Sequence, residues 1–223
     1  MNDEARRLLV ICAMESEAVH LRTVLEGVRQ EAYFHWPAAR GRLGNYEVWM
    51  LTCGIGMVDA ASAAVAGTLH DHPAAVLNYG CSGAHRDDIR CGDVVIADSV
   101  VNLGTFVVEP DGNRRPLNFH IFEEDGSSSR TIPALLADAR LLERARSLGE
   151  QLSLPAWPGE DRDPDVHVGP VGSADVWTQH QDSIRNLHDV HGTLCEDMEA
   201  AAIGQVCQRF GVPFFSVKDI SNN

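Results

Sequence analysis

The sequence has little positive charge. Lys and Arg number 18 against 32 Asp and Glu, giving a formal net charge of −14 over 223 residues. A field of that sign repels phosphate backbones and anionic lipid surfaces, so neither nucleic acid nor a membrane is an expected partner. Long hydrophobic runs are also missing. The stretch Leu8 to Ala13 falls far short of the ~18 residues of a membrane span, and it is too short for a secretory leader. The six cysteines, at 12, 53, 81, 91, 195 and 207, form no C-x-x-C pair. Together these absences predict reduced thiols in a cytoplasmic protein. What remains is 44% hydrophobic and 22% charged, an ordinary globular composition. It predicts a single domain over residues 1–223 with a substantial core.

Short β-rich runs alternate with longer helical stretches. Strands are expected at Leu8–Ala13, Glu47–Cys53, Ala75–Tyr79, Asp93–Asp98, His167–Gly172 and Pro213–Lys218. Helices are expected at Glu15–Glu26, Met57–Asp71, Ile132–Leu152, Gln181–Val190 and Glu196–Phe210. This alternation predicts an α/β fold, a three-layer sandwich around a central mixed, mostly parallel sheet. Glu109–Arg130 and Leu154–Pro164, rich in Pro, Gly and Ser, read as surface loops. In such folds ligands sit beyond the carboxyl ends of strands, where loops lead into helices.

Five segments lie at such junctions. In Ala13-Met14-Glu15-Ser16-Glu17 the acids suit a first helical turn through the helix dipole, or supply a general base at the sheet edge. Cys53-Gly54-Ile55-Gly56 allows close backbone approach to a ligand, or is simply a tight turn. It is not a dinucleotide fingerprint, because Asp59 stands at the last glycine position. Asn78-Tyr79-Gly80-Cys81-Ser82-Gly83 is not a nucleophile elbow; a loop offering N–H groups and a hydroxyl to an anion or a ribose fits better. In Thr193-Leu194-Cys195-Glu196-Asp197-Met198-Glu199-Ala200 the spacing of Thr193 and Glu196 predicts a capping box at a helix start. A carboxylate such as Glu199 suits bidentate acceptance from two vicinal hydroxyls. Lys218-Asp219-Ile220-Ser221-Asn222-Asn223 reads either as a polar chain end or as a site edge. The pairs His70/His72 and His188/His191 have no third ligand at metal-site spacing, so no metal is expected.

Taken together, the five segments resemble the purine nucleoside phosphorylase superfamily, and within it the methylthioadenosine/S-adenosylhomocysteine nucleosidases. Their A-M-x-x-E, S-G-I-G, N-x-G-S-A-G, V-E-M-E-A-x-A and I-S-D motifs have counterparts here in the same order, from residue 13 to 222. The resemblance implies that Glu17 activates water and that Met198 and Glu199 contact the ribose. It implies that Ile55, Cys81, Ser82, Gly83 and Asp197 line the substrate site, that Val176 or Trp177 stacks on the base, and that Ser221 and Asn222 face purine N7. It also implies a homodimer whose partner closes the 5′ side, no cofactor, and a C-terminal helix following the position of Asn223.

Two departures matter. Asn222 replaces the family's Asp, and an amide donates a hydrogen bond but no proton. The family's 6-oxopurine enzymes use Asn in a comparable role. The expected function is therefore a purine nucleoside N-ribosyl hydrolase leaning to 6-oxopurines. The alternatives are a methylthioadenosine/S-adenosylhomocysteine-type nucleosidase, a purine nucleoside phosphorylase, or a non-catalytic nucleoside-binding protein. The acidic first turn, where phosphorylases carry cations, favours water over phosphate as acceptor. Val101-Asn102-Leu103-Gly104-Thr105-Phe106 replaces the family's H-D-x-D pattern and leaves the 5′-substituent unspecified.

Overall fold

The computed structural model describes residues 6–123 and 125–222. In chain order the elements are β1 (Arg6–Cys12), α1 (Glu15–Thr23), β2 (Glu26–Tyr33), β3 (Trp36–Leu43), β4 (Tyr46–Thr52), α2 (Met57–Asp71), β5 (Ala75–Ala84), β6 (Val94–Asn102), β7 (Phe106–Val108), β8 (Arg114–Pro116), β9 (Phe119–Phe122), β10 (Ser129–Ile132), β11 (Leu135–Leu136), α3 (Ala139–Gly149), β12 (Val166–Ser173), α4 (Gln181–His191), β13 (Cys195–Asp197), α5 (Ala200–Phe210) and β14 (Phe214–Asn222).

The continuous apolar runs of β1 and β4 are those of strands covered on both faces. On one face Leu9, Ile11, Leu51 and Val76 meet Ala60, Ala63 and Ala64 of α2 and Ala201 and Ile203 of α5. On the other, Val10, Cys12, Val48 and Met50 meet Ala18, Leu21 and Leu25. The alanine-rich helix faces let α2 and α5 lie close to the sheet. A Cβ at Gly67 would stand 2.7 Å from Leu9 Cδ2. The expected three-layer α/β architecture with a mixed central sheet is what forms.

Strands β4, β1, β5 and β14 run parallel, as do β6, β12 and β13. The two sets meet antiparallel where β14 pairs with β6 and β13 with β5. The ring β5–β14–β6–β12–β13 therefore closes on itself. Behind it, fully buried Asp93 ties the Arg90 turn to the segment before β12. It accepts from Arg162 Nη1 and Nη2 at 2.8 and 2.6 Å, from the Arg90 and Asp165 amides at 3.0 and 2.8 Å, and pairs with His167 at 3.0 Å. Burial alone would raise this carboxyl's pKa, but these partners hold it well below the usual carboxylate range.

Several expectations are corrected. The helix expected at Ile132–Leu152 is only α3; Pro133 interrupts the segment, and Asp138 caps the helix by accepting from the Arg140 and Leu141 amides, both at 3.0 Å. The helix expected from Glu196 begins at Ala200, and Cys195–Asp197 is strand. No capping box joins Thr193 to Glu196, because the Thr193 hydroxyl pairs with His85 at 2.8 Å. Helix α1 stops at Thr23, and the hairpin β2–β3 occupies a stretch where the sequence suggested no strands. The expected Glu109–Arg130 loop holds the short strands β8 and β9 and the start of β10, while β14 continues past Lys218 to Asn222.

Candidate active site

A cavity of about 280 Å³ opens at the carboxyl ends of β1, β5 and β14. All twelve residues singled out from the sequence line it, together with Ala13, Met14 and Glu196.

Glu17 sits in the first turn of α1, and its carboxylate is held twice. Oε2 accepts from the Met14 amide at 2.9 Å; Oε1 accepts from the Cys81 amide at 3.0 Å and faces Cys81 Sγ at 3.3 Å. The carboxylate therefore satisfies its own helix start and also reaches across to β5. Gly80 makes that reach possible, since a Cβ there would lie 2.7 Å from Glu17 Oε1. Burial and the Glu17 charge push the Cys81 thiol up to about 11, which disfavours a thiolate there.

In the turn before α2, Gly54 and Gly56 have φ of 95° and 109°, a region side chains rarely adopt. The amides freed here are already taken. Gly56 N donates to Glu199 Oε1 at 3.0 Å, and Met57 N donates to Asp175 Oδ1 at 2.7 Å. Two carboxylates thus fill the place where a helix start would otherwise hold a phosphate.

Glu199 is the residue before α5, yet its side chain does not cap that helix. Besides Gly56, it accepts from the Met198 amide at 3.3 Å. Burial first, and then the neighbouring Asp197 charge, raise its pKa to about 7, against the lowering pull of Lys218. Asp197 lines the cavity, but its carboxylate is consumed by other partners. Oδ2 pairs with Lys218 Nζ at 2.6 Å and accepts from the Ala200 amide at 3.0 Å; Oδ1 accepts from the Ser173 hydroxyl.

Glu196, Gly83 and Asn222 are register partners across β13, β5 and β14. Partners in register share a face of the sheet, so an acid and an amide flank a glycine on one wall of the cavity. Ser221 Oγ donates to Asn222 Oδ1 at 3.0 Å, leaving Nδ2 over Gly83, where a Cβ would be only 2.9 Å away. Val176 and Trp177 stand exposed at the rim, as does Ile55 opposite. The segment carrying them is anchored by Thr178, whose amide and hydroxyl donate to Glu196 at 2.8 and 3.0 Å. Sequence reasoning missed Glu196, Asp175 and Lys218 as parts of this site. Among the described residues no cluster of His, Cys, Asp and Glu suits a metal.

Residues 7–223 match the Phosphorylase superfamily, and the chain belongs to it. The chain is 31% identical over 217 residues to the 5′-methylthioadenosine/S-adenosylhomocysteine nucleosidase of Exiguobacterium sp., covering 96% of this chain and 84% of that protein. It is 30% identical over 214 residues, with the same coverages, to the enzyme of that name from Maridesulfovibrio salexigens. The fold is shared with the Neisseria meningitidis nucleosidase solved with methylthio-immucillin-A, at a TM-score of 0.78 and 24% identity over 97% of this chain and 86% of that one. The protein is a purine nucleosidase, a hydrolase of the N-glycosidic bond.

Proposed function

We propose that the chain acts as a nucleosidase on 5′-thio-substituted adenosines of the kind its relatives are named for, as a cytoplasmic homodimer. Glu17 orients and deprotonates water against C1′. Glu199, with Met198 beside it, accepts from the 2′- and 3′-hydroxyls while oxocarbenium character develops. Asn222, oriented by Ser221, donates to the departing base, and Val176 and Trp177 cover the base from the rim. Cys81, Ser82 and Gly83 floor the site, and Ile55 borders its mouth. The observation that carries this reading is the convergence of Glu17 and Glu199 on one cavity, each fixed by backbone amides. The exposed apolar rim of Ile55, Val58, Val176 and Trp177 supports a second copy at the mouth.

Water is favoured over phosphate as acceptor because carboxylates occupy the amides at the start of α2. A second reading, 6-oxopurine nucleosides, is favoured by the row Glu196–Gly83–Asn222. Asn222 Nδ2 suits O6 and N7, and Glu196 suits the N1–H that adenine lacks. One panel tests both readings: methylthioadenosine, S-adenosylhomocysteine, adenosine, inosine and guanosine, each with and without phosphate, with free base separated by chromatography. Phosphate-independent adenine release from the thio-nucleosides is expected. Faster release of hypoxanthine or guanine replaces the first reading with the second, and a phosphate requirement overturns hydrolysis.

A further inference from the structure

Lys218 is the only lysine in the sequence; the other 17 basic residues are arginines. It is also the only Lys or Arg that is fully buried among the described residues. A buried ammonium is costly unless it is paired. Its partner is Asp197, at 2.6 Å, and both side chains are 1% exposed. Burial would lower its pKa, but Asp197 and then Glu199 outweigh that and hold it above the ordinary lysine value.

The pair stands under the start of α5. The first amides of a helix lack partners within it and are ordinarily satisfied by the side chain of the preceding residue. Here that residue is Glu199, and it does not do so. Asp197 Oδ2 takes the Ala200 amide at 3.0 Å, and Ser173 Oγ takes the Ala201 amide at 2.9 Å while donating to Asp197 Oδ1. Capping has been handed to Asp197 and Ser173, and Glu199 is free to reach Gly56 and the cavity. Lys218 also pairs in register with Gly80, the position over which the Glu17 carboxylate lies. The charged and titratable groups around Glu199 are Asp197 from β13, Lys218 from β14, Glu17 from α1 and the Cys53 thiol after β4. Asp175 takes the neighbouring Met57 amide.

We propose that Lys218 is a positioning residue for ribose binding: by holding Asp197 against the start of α5, it releases Glu199 from helix capping and supplies the buried counter-charge for the acids of the cavity. This rests on the nucleosidase reading above. Without Lys218, Asp197 would present an uncompensated charge two residues from Glu199, and two close carboxylates do not both ionise readily. An ammonium suits this place because it is a compact point charge, whereas a guanidinium needs a wider, planar set of acceptors.

The test uses the full chain and whichever nucleoside the panel above finds best. Lys218→Met is expected to raise KM more than it lowers kcat, with kcat/KM down ~100-fold, the scale of losing one preorganised electrostatic contact. The acid limb of its kcat/KM profile is expected to move up by about one pH unit or more, the shift a lost opposite charge produces. Lys218→Met combined with Asp197→Asn removes both charges and is expected to return the acid limb toward that of the wild type; a purely structural role predicts no such return. Folded Lys218→Met with wild-type KM and acid limb overturns the proposal alone. Wild-type protein inert toward every nucleoside overturns the nucleosidase reading and this proposal with it. A further measurement does not depend on the variants folding. Wild-type protein grown on lysine labelled at Cε gives one lysine NMR signal, expected to stay in the ammonium form through the ordinary lysine pKa of ~10.4. Titration at or below that value overturns the buried pair.

Discussion

The Glu17 carboxylate accepts the Cys81 amide at 3.0 Å, which fixes an acid from the first helix onto the strand that floors the cavity. In the proposed role of general base, a carboxylate held in this way would need no rearrangement before acting on water. Glu17→Gln keeps the acceptor oxygen and loses the base. Turnover is expected to fall by at least ~100-fold, the usual contribution of general base catalysis, with nucleoside affinity by calorimetry within a few fold of wild type. Unchanged turnover would remove Glu17 from its assigned role.

Gly80 leaves the space that Glu17 occupies. Gly80→Ala puts a Cβ 2.7 Å from Glu17 Oε1, so the acid must move. Activity is expected to drop ~100-fold, the cost of an ångström-scale misplacement, while the melting temperature changes little. A variant as active as wild type would show that Glu17 acts from another position.

In the proposed role Glu199 sets the pH dependence: only its ionised form would accept from both ribose hydroxyls, and its pKa is raised to about 7. The wild-type kcat/KM profile is expected to fall away below that pH. The stability consequence has the opposite sense. A carboxyl with a raised folded-state pKa favours the fold below its unfolded value of 4.5, and that stabilisation is lost as pH rises through 7. Glu199→Gln should therefore unfold at higher urea than wild type at pH 8.5 by up to about 3 kcal/mol, with the gap closing toward pH 5. A gap independent of pH would contradict the raised value.

In the proposed reading Asn222 and Glu196 face the base. Asn222→Asp restores a proton donor for an adenine leaving group, and ~100-fold faster adenine release is expected from general acid catalysis. Glu196→Gln removes the acceptor for N1–H and is expected to lower the ratio of inosine to adenosine turnover ~10-fold, about the value of one base-edge contact. Equal losses on both substrates would make Glu196 an anchor for Thr178 and nothing more.

Arg162→Ala separates structure from catalysis. It leaves buried Asp93 short of its strongest partner, and a loss of about 3 kcal/mol is expected in urea unfolding, with kcat of the folded protein near wild type. Asp93, with its depressed pKa, contributes stability above its ordinary carboxylate value of 3.8, and that contribution is lost as pH falls below it. In the variant this acid-side loss should largely disappear.

Much of the candidate site was legible because its parts sit in or just after the carboxyl ends of strands. Glu17, Ile55, Ser82 and Asn222 each lie at or beyond the end of an apolar run that marks a buried strand. In the sequence Lys218 reads only as part of a polar chain end or a site edge, and it is the closure of β14 between β5 and β6 that buries it. Glu196 was misread because Thr193 and Glu196 have helix-capping spacing. Pairing with β5 holds Glu196 in a strand instead, and His85 claims the Thr193 hydroxyl. Strand β2 gave no signal at all, since Glu26–Tyr33 is exposed along nearly its whole length and lacks the alternation of a half-buried strand.

That same strand bears on solubility. With β5, β14, β6, β12 and β13 joined in a ring, β2 is left at an open margin of the large sheet. Its backbone donors and acceptors there are a template for strand addition from a neighbouring molecule. Glu26, Arg29 and Glu31 place charges along it, and the register slips between Glu26 and Arg29, an irregularity that spoils a flat template. Polar side chains and a kink along this exposed flank thus work against runaway stacking.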